Sequence, residues 1–240
     1  MSTLLLRLAA PMQAWGIGGK FDRRPTESEP TRSGIIGMIA CAMGIERDAP
    51  IDIFNGAKIG VRVDQQGEIK RDFHMVRKCN EKTGKIDSSW LTYRHYLFDA
   101  VFLVGIEAED ILLQKIKDSL LSPVFPLYLG RRSCPPEGKI ILGIRRNKNL
   151  DEAFKEEPWI ASVWTKKRTK ENFVRLKITR DITNGEKETY VARDNPISFS
   201  QKHRKHDFRS VMVMWKEIPS GKGDMTIPDQ IQTNHNPMNI

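Results

Sequence analysis

Two kinds of apolar pattern alternate along the first 147 residues, and their order leaves few folds open. Residues 3–8 (TLLLRL) and 100–107 (AVFLVGIE) are short continuous apolar runs, the pattern of a strand buried on both faces. Between them, SGIIGMIACAMG places Ile35, Ile36, Ile39, Ala40 and Met43 on one helix face, with Thr31 or Ser33 as N-cap and Gly44 as C-cap. Small residues at Gly34, Gly37, Ala40 and Cys41 let that helix approach a sheet closely. AKIGVRVD (57–64) alternates as a strand, QQG turns, and EIKRDFHMV (68–76) is expected to return as its hairpin partner. EDILLQKIKDSLL (109–121) has an amphipathic helical period with Glu109 and Asp110 at its start, and KIILGIRR (139–146) supplies a further strand. The sum is β-α-β-β-α-β with hairpin material inserted. That is an α+β, ferredoxin-like (RRM-like) plan over residues 1–147. Unrelated proteins share it, so the order fixes no function.

Past Asn147 the chain changes to charge-rich strand patterns, FVRLKIT, ETYVARD and SVMVMW, predicting a smaller β-rich basic subdomain over 148–219. Residues 220–240 lack hydrophobic periodicity and are expected to form a disordered tail. The stretch 77–94, RKCNEKTGKIDSSWLTYR, is too polar for a core and carries a KTGK tip. It reads as a projecting hairpin, in which Trp90, Leu91 and Tyr93 are apolar anchors an isolated solvated loop does not need.

The formal charge is +9, and it is unevenly spread: residues 1–120 hold 17 Lys and Arg against 16 Asp and Glu, residues 121–240 hold 22 against 14. Such asymmetry suits a polyanionic partner and equally suits scattered solubilising charge. Arg7 and Pro11 interrupt the N-terminal apolar run before it reaches the length of a signal or membrane span. Cys41, Cys79 and Cys134 are odd in number and far apart, without metal-ligand spacing, which fits reduced thiols in a cytoplasmic protein with no metal and no cofactor.

Three segments hold residue types suited to RNA. PTRSG puts Arg32 and Ser33 at a helix N-terminus, where free N–H groups and the helix dipole favour phosphate. PMQAWG offers Met12 and Gln13, with Trp15 fitting either the core or an unstacked base. YLGRRSCP gathers Arg131, Arg132 and Ser133 beside a glycine that lets backbone approach a ligand. TKKRTKENFVRLK and QKHRKHDFR interleave Phe173 and Phe208 with basic residues including Lys202 and Arg204, a pattern shared by single-strand binders and solvated sheet faces. His74, His95, His203 and His206, with Tyr93, Tyr96, Lys202 and Lys205, supply the parts of a metal-free endoribonuclease, but no motif fixes a triad. Neither helix is a basic recognition helix, which argues against a duplex-DNA regulator.

LRLAAPMQAWG, PTRSGIIGMIACAMGIERD and PLYLGRRSCP, with RDFHMV, WLTYRHYLFDA and VARDNP in order, resemble the CasD subunits of type I-E CRISPR Cascade complexes over residues 1–215. The resemblance implies a ferredoxin-like domain with a thumb-like hairpin that caps the 5′ handle of the guide RNA (crRNA). It implies contacts with the backbone subunit CasC and the large subunit CasA, and with target DNA only through the complex. It implies a non-catalytic role in antiviral defence, with precursor cutting left to CasE. The expected RNA contacts are then Met12, Gln13, Trp15, Arg32, Ser33, His74, Arg131, Arg132, Ser133, Lys202 and Arg204, and the expected thumb contacts are Lys82, Lys85, Trp90, Leu91 and Tyr93. The competing expectation is precursor cleavage, as in the related type I-C subunit.

Overall fold

The apolar runs become the centre of a sheet. The computed structural model describes residues 1–16, 22–183 and 185–221. In chain order it contains β1 (Ser2–Ala9), β2 (Met12–Gln13), β3 (Arg23–Arg24), α1 (Arg32–Ala42), β4 (Lys58–Gln65), β5 (Glu68–Cys79), β6 (Ile86–Phe98) and β7 (Val101–Ala108). There follow α2 (Asp110–Leu121), β8 (Ile141–Arg145), α3 (Leu150–Glu156), α4 (Val163–Arg168), β9 (Phe173–Asp181), β10 (Tyr190–Ser198) and β11 (Lys205–Pro219). The architecture is α+β. Seven strands form one antiparallel sheet in the order β10-β11-β9-β4-β7-β1-β8, and β2, β3, β5 and β6 form a second, small sheet.

Strands β1 and β7 lie inside the sheet and are buried at every position but Arg7, which is why their sequences are almost continuously apolar. Leu4, Leu6, Leu8, Phe102, Val104 and Ile106 pack under α1 and α2, while Leu5 and Leu103 point the other way, onto α3. Gly60 of β4 and Gly105 of β7 are register partners, and a β-carbon on either would press into the Phe154 ring at 2.8 or 2.9 Å. Two bare strand positions thus form the seat for α3.

The hairpin expected from AKIGVRVD and EIKRDFHMV does not form. β4 pairs with β7 and β9, whereas β5 pairs, among the described residues, with β6 alone, in one antiparallel hairpin of twelve- and thirteen-residue strands. The reason lies in burial: β4 is apolar on one face and buries Arg62 and Asp64 on the other, while β5 is exposed along almost its whole length and cannot lie in the core. The projecting hairpin expected over 77–94 is therefore longer, beginning at Glu68 and ending at Phe98. The basic segment after Asn147 supplies β9, β10 and β11, which extend the main sheet at its β4 edge. It also supplies α3 and α4, which the strand reading passed over; α3 carries a readable capping box in Asn149 and Glu152. The expectation of a disordered tail falls on residues beyond 221, outside the described ones.

Candidate nucleic-acid interface

Two of the singled-out segments meet. Ala14 donates its backbone N–H to the Leu129 carbonyl at 3.1 Å, and Gly130, at φ +85°, lies directly against the Ala14 carbonyl. The next residues close a tight turn, with Cys134 N–H on the Arg131 carbonyl and Leu129 N–H on the Cys134 carbonyl. This turn aims two arginines differently. Arg131 stacks 4.7 Å over the Tyr96 ring and donates to the carbonyls of His95 (3.0 Å), Arg24 (2.9 Å) and Pro25 (3.3 Å). Those bonds fasten β3 and the 130s turn to β6. Arg132 is exposed and has no ion-pair or hydrogen-bond partner among the described residues.

Strand β3 runs parallel to β6, with Arg23 beside Tyr93 and Arg24 beside Arg94. Arg23 and Arg24 are exposed, and the buried Arg94 Nε and His95 Nδ1 have no hydrogen-bond partner among the described residues. Ser133 Oγ lies 3.5 Å from the Tyr96 hydroxyl. Burial is the largest single influence on that phenol and raises its pKa, but hydrogen bonding to Ser133, Arg131 and Arg94 outweighs it and the net direction is down. Arg23, Arg24 and Arg94 thus collect near the foot of the long hairpin, with Arg131 as their internal brace, and Arg132 adds an exposed cation from the same turn on the side nearer Cys41. Guanidinium groups with free donors, next to a serine hydroxyl, form a surface suited to phosphate oxygens. Arg23 and Arg24 were missed in the sequence because a two-residue strand gives no periodicity; the DRRP run was the available signal.

Several other expected contact residues are engaged inside the fold. Gln13 is fully buried: its Nε2 donates to the Ala100 carbonyl at 2.8 Å and its Oε1 accepts from Trp15 Nε1 at 3.0 Å. Trp15 is also buried, packed on Gly34 of α1, so both residues build the loop from inside. Met12 pairs with Phe98 and packs on the core. The α1 N-terminus already holds an anion of the protein itself, since Arg32 N–H donates to the Asp194 carboxylate at 2.7 Å. The Arg32 side chain bonds Asp181 (2.6 Å), Asn195 (3.0 Å) and the Ala57 carbonyl (3.0 Å), and Arg209 bridges Asp181 and Asp194 from the other side. Every nitrogen of that guanidinium has an internal acceptor, which makes Arg32 a structural tie. Thr31, not Ser33, is the N-cap, and Ser33 Oγ lies 3.4 Å from the Thr31 hydroxyl.

Lys82 and Lys85 stand exposed in the hairpin turn, and His74 on β5 lies 2.8 Å from the Asp72 carboxylate. Across the β5–β6 register, Phe73 faces Tyr93 and Met75 faces Leu91, while Val76 faces Trp90 on the opposite surface. Arg71 stacks 5.2 Å over Tyr93. Lys202 and Arg204 are exposed in the β10–β11 turn. No hydrogen bond among the described residues joins a histidine side chain to a tyrosine or lysine.

The family model described as "CRISPR-associated protein (Cas_Cas5)" matches residues 3–212. The CRISPR system Cascade subunit CasD of Escherichia coli (strain K12) is 34% identical over 158 residues, covering 59% of this chain and 70% of that protein. A chain of a solved CRISPR RNA-guided surveillance complex superposes with a TM-score of 0.75 at 32% identity, over 90% of this chain and 91% of that one. A crystal structure of a Cas protein gives 0.66 at 31% identity, over 92% and 96%. A match across nearly the whole described chain, in sequence and in fold, places the protein in the Cas5 family of CRISPR-associated proteins.

Proposed function

We propose that this protein is the subunit of a Cascade-type complex that binds and caps the 5′ handle of the guide RNA, and that it does so without cutting RNA. The observation that carries the reading is the arginine surface at the hairpin foot. Gly130 and Ala14 join two of the CasD-like segments there, and Arg23, Arg24 and Arg132 stand exposed on the elements that Arg131 braces. Resemblance to CasD and to a surveillance-complex chain supports the cellular role.

The finer architecture follows the same reading. Within the main sheet the order β4-β7-β1-β8, reached through the chain order β1-α1-β4-β7-α2-β8, supports a ferredoxin-like unit over residues 1–147. Residues 148–219 form the basic β-rich addition. The β5–β6 hairpin serves as the thumb, meeting the backbone subunit CasC through Trp90, Leu91 and Tyr93, and the large subunit CasA binds elsewhere on the same protein. No described helix is long and apolar enough to cross a membrane, which fits a cytoplasmic assembly. The test is incubation of the purified protein with a precursor repeat RNA, with and without divalent metal. Intact RNA is the expected product, and cutting at one position that is abolished by His203→Ala or His206→Ala contradicts the non-catalytic reading.

A further inference from the structure

The outer end of the β10–β11 pair carries an aromatic and basic surface that the handle site does not use. The register shifts of this pair fall on β10, where Ala192 to Asn195 oppose Arg209 to Asp207, so β11 alternates regularly and sets His206, Phe208 and Ser210 on one face. The extra residue on β10 brings Arg193 to that same face, 5.7 Å from the Phe208 ring centroid. Asp194 turns the other way, where it accepts from the Arg32 backbone N–H and the Arg209 guanidinium. Phe208 is 62% exposed, and Val191, in register with Ser210, is half exposed.

The cations here are not neutralised. Arg193 on the strand and Arg204 in the turn are exposed, and neither has an ion-pair or hydrogen-bond partner among the described residues. Asp194 is already committed to Arg209 and α1, and Asp207 alternates with Lys205 to the opposite face. His206 feels the excess: burial lowers its pKa most, and the charges of Arg204 and Arg193 lower it further against Asp194. Glu188, which accepts from the Ser210 hydroxyl, is the acid at the inner end of the surface. An arginine over an exposed ring contributes little to folding in water, whereas the same pair offers a flat surface to an unstacked base.

The surface is also remote from the hairpin foot. β4 runs antiparallel to β9, and β9 to β11, so the Gln65 end of β4, which is bonded to Asp99 at the end of the hairpin, lies toward Glu217 of β11. Phe208 is about nine residues farther along β11, a distance of about 30 Å. We infer that this end of the sheet is a second contact for single-stranded nucleic acid, in which a base lies on the Arg193–Phe208 pair and the flanking phosphates meet Arg193 and Arg204. A ring beside unpaired cations binds a single strand of either sugar without sequence preference. A protein partner is disfavoured, because Phe208 and Val191 supply far less apolar area than the core of a stable protein interface needs. Arg204, grouped by residue type with the handle contacts, belongs to this second contact.

The probes are fluorescent, unstructured oligo(dT) and oligo(U) of about 20 nucleotides, titrated into the whole protein by anisotropy at several salt concentrations. Phe208→Ala should weaken binding about tenfold at an unchanged melting temperature. Arg193→Gln/Arg204→Gln should weaken it about as much and flatten the log K against log salt slope by about 1.4, the value for two phosphate contacts on a single strand. Both losses should persist in an Arg23→Ala/Arg24→Ala/Arg132→Ala background, and losses that vanish there make the two surfaces one and overturn the inference. Binding of either probe with these responses supports the contact, and the tighter probe names the sugar. If handle RNA fails to bind while the oligonucleotides still bind and respond, the handle reading falls and this contact stands. Wild-type affinity and slope in a folded double variant overturn it. So does poly-glutamate that binds as tightly as the oligonucleotides and is released by Phe208→Ala, since that gives the surface to an acidic protein segment.

Discussion

Gly130 is pressed so closely on Ala14 that a β-carbon added to it would lie 1.6 Å from the Ala14 carbonyl oxygen. That contact joins the loop after β1 to the turn carrying Arg131 and Arg132, and the positive φ of Gly130 disfavours any side chain as well. Gly130→Ala should therefore destabilise the protein by more than about 2 kcal/mol and displace the arginine turn. Melting temperature and handle-RNA affinity should fall together. An unchanged melting temperature contradicts the tight joint.

Arg32 is argued to be a tie between α1 and the β10–β11 side of the sheet. Removing it leaves Asp181 and Asp194 short of one cation in a largely buried network, a loss of about 3 to 5 kcal/mol. Urea unfolding of Arg32→Ala should show that loss. The fraction still folded should bind handle RNA with the wild-type salt slope, because no phosphate contact has been removed. A flattened slope with unchanged stability returns Arg32 to the RNA surface.

Acid stability offers a third check. The hydrogen bond from Arg180, followed by the Thr183 N–H, holds the Glu186 carboxyl down to about 2. A depressed carboxylate pKa stabilises the fold fully above its ordinary value of 4.5 and ceases to do so as pH falls through about 2. Glu186→Gln should thus be less stable than the wild type at neutral pH, with the difference shrinking between those two values. A difference independent of pH across that window rules out the carboxylate as its source.

The long hairpin carries exposed apolar side chains on both faces, Phe73 and Met75 on one and Trp90 on the other, without a core of their own. Replacing its turn, Glu81 to Lys85, with a short Gly-Ser loop should leave melting of the main fold unchanged. Co-purification with the backbone subunit should weaken. Wild-type assembly removes the hairpin from the partner contact.

The main sheet was legible because β1, β7, α1 and α2 announce themselves by local pattern: continuous apolar runs for strands buried on two faces, and a small-residue helix face. The pairing of β4 was not, because QQG looks like a tight turn and only the exposure of β5 sends that strand out of the sheet. Arg131 was found through its glycine, but its role as a brace depends on carbonyls of Arg24 and His95, more than 30 residues away in sequence. Gln13, Trp15 and Arg32 illustrate the converse. Their chemistry suits RNA, and nothing in the sequence tells that Ala100, Gly34, Asp181 and Asp194 already use it.

Handle binding by the arginine surface can be measured directly. A synthetic handle RNA, titrated against wild-type protein and Arg23→Ala/Arg24→Ala/Arg132→Ala at several salt concentrations, reports affinity and the number of phosphate contacts together. Exposed arginines with free donors predict at least a tenfold loss of affinity, a log K against log salt slope flatter by about 2, and an unchanged melting temperature. A folded variant that binds the handle with wild-type affinity and slope contradicts the account.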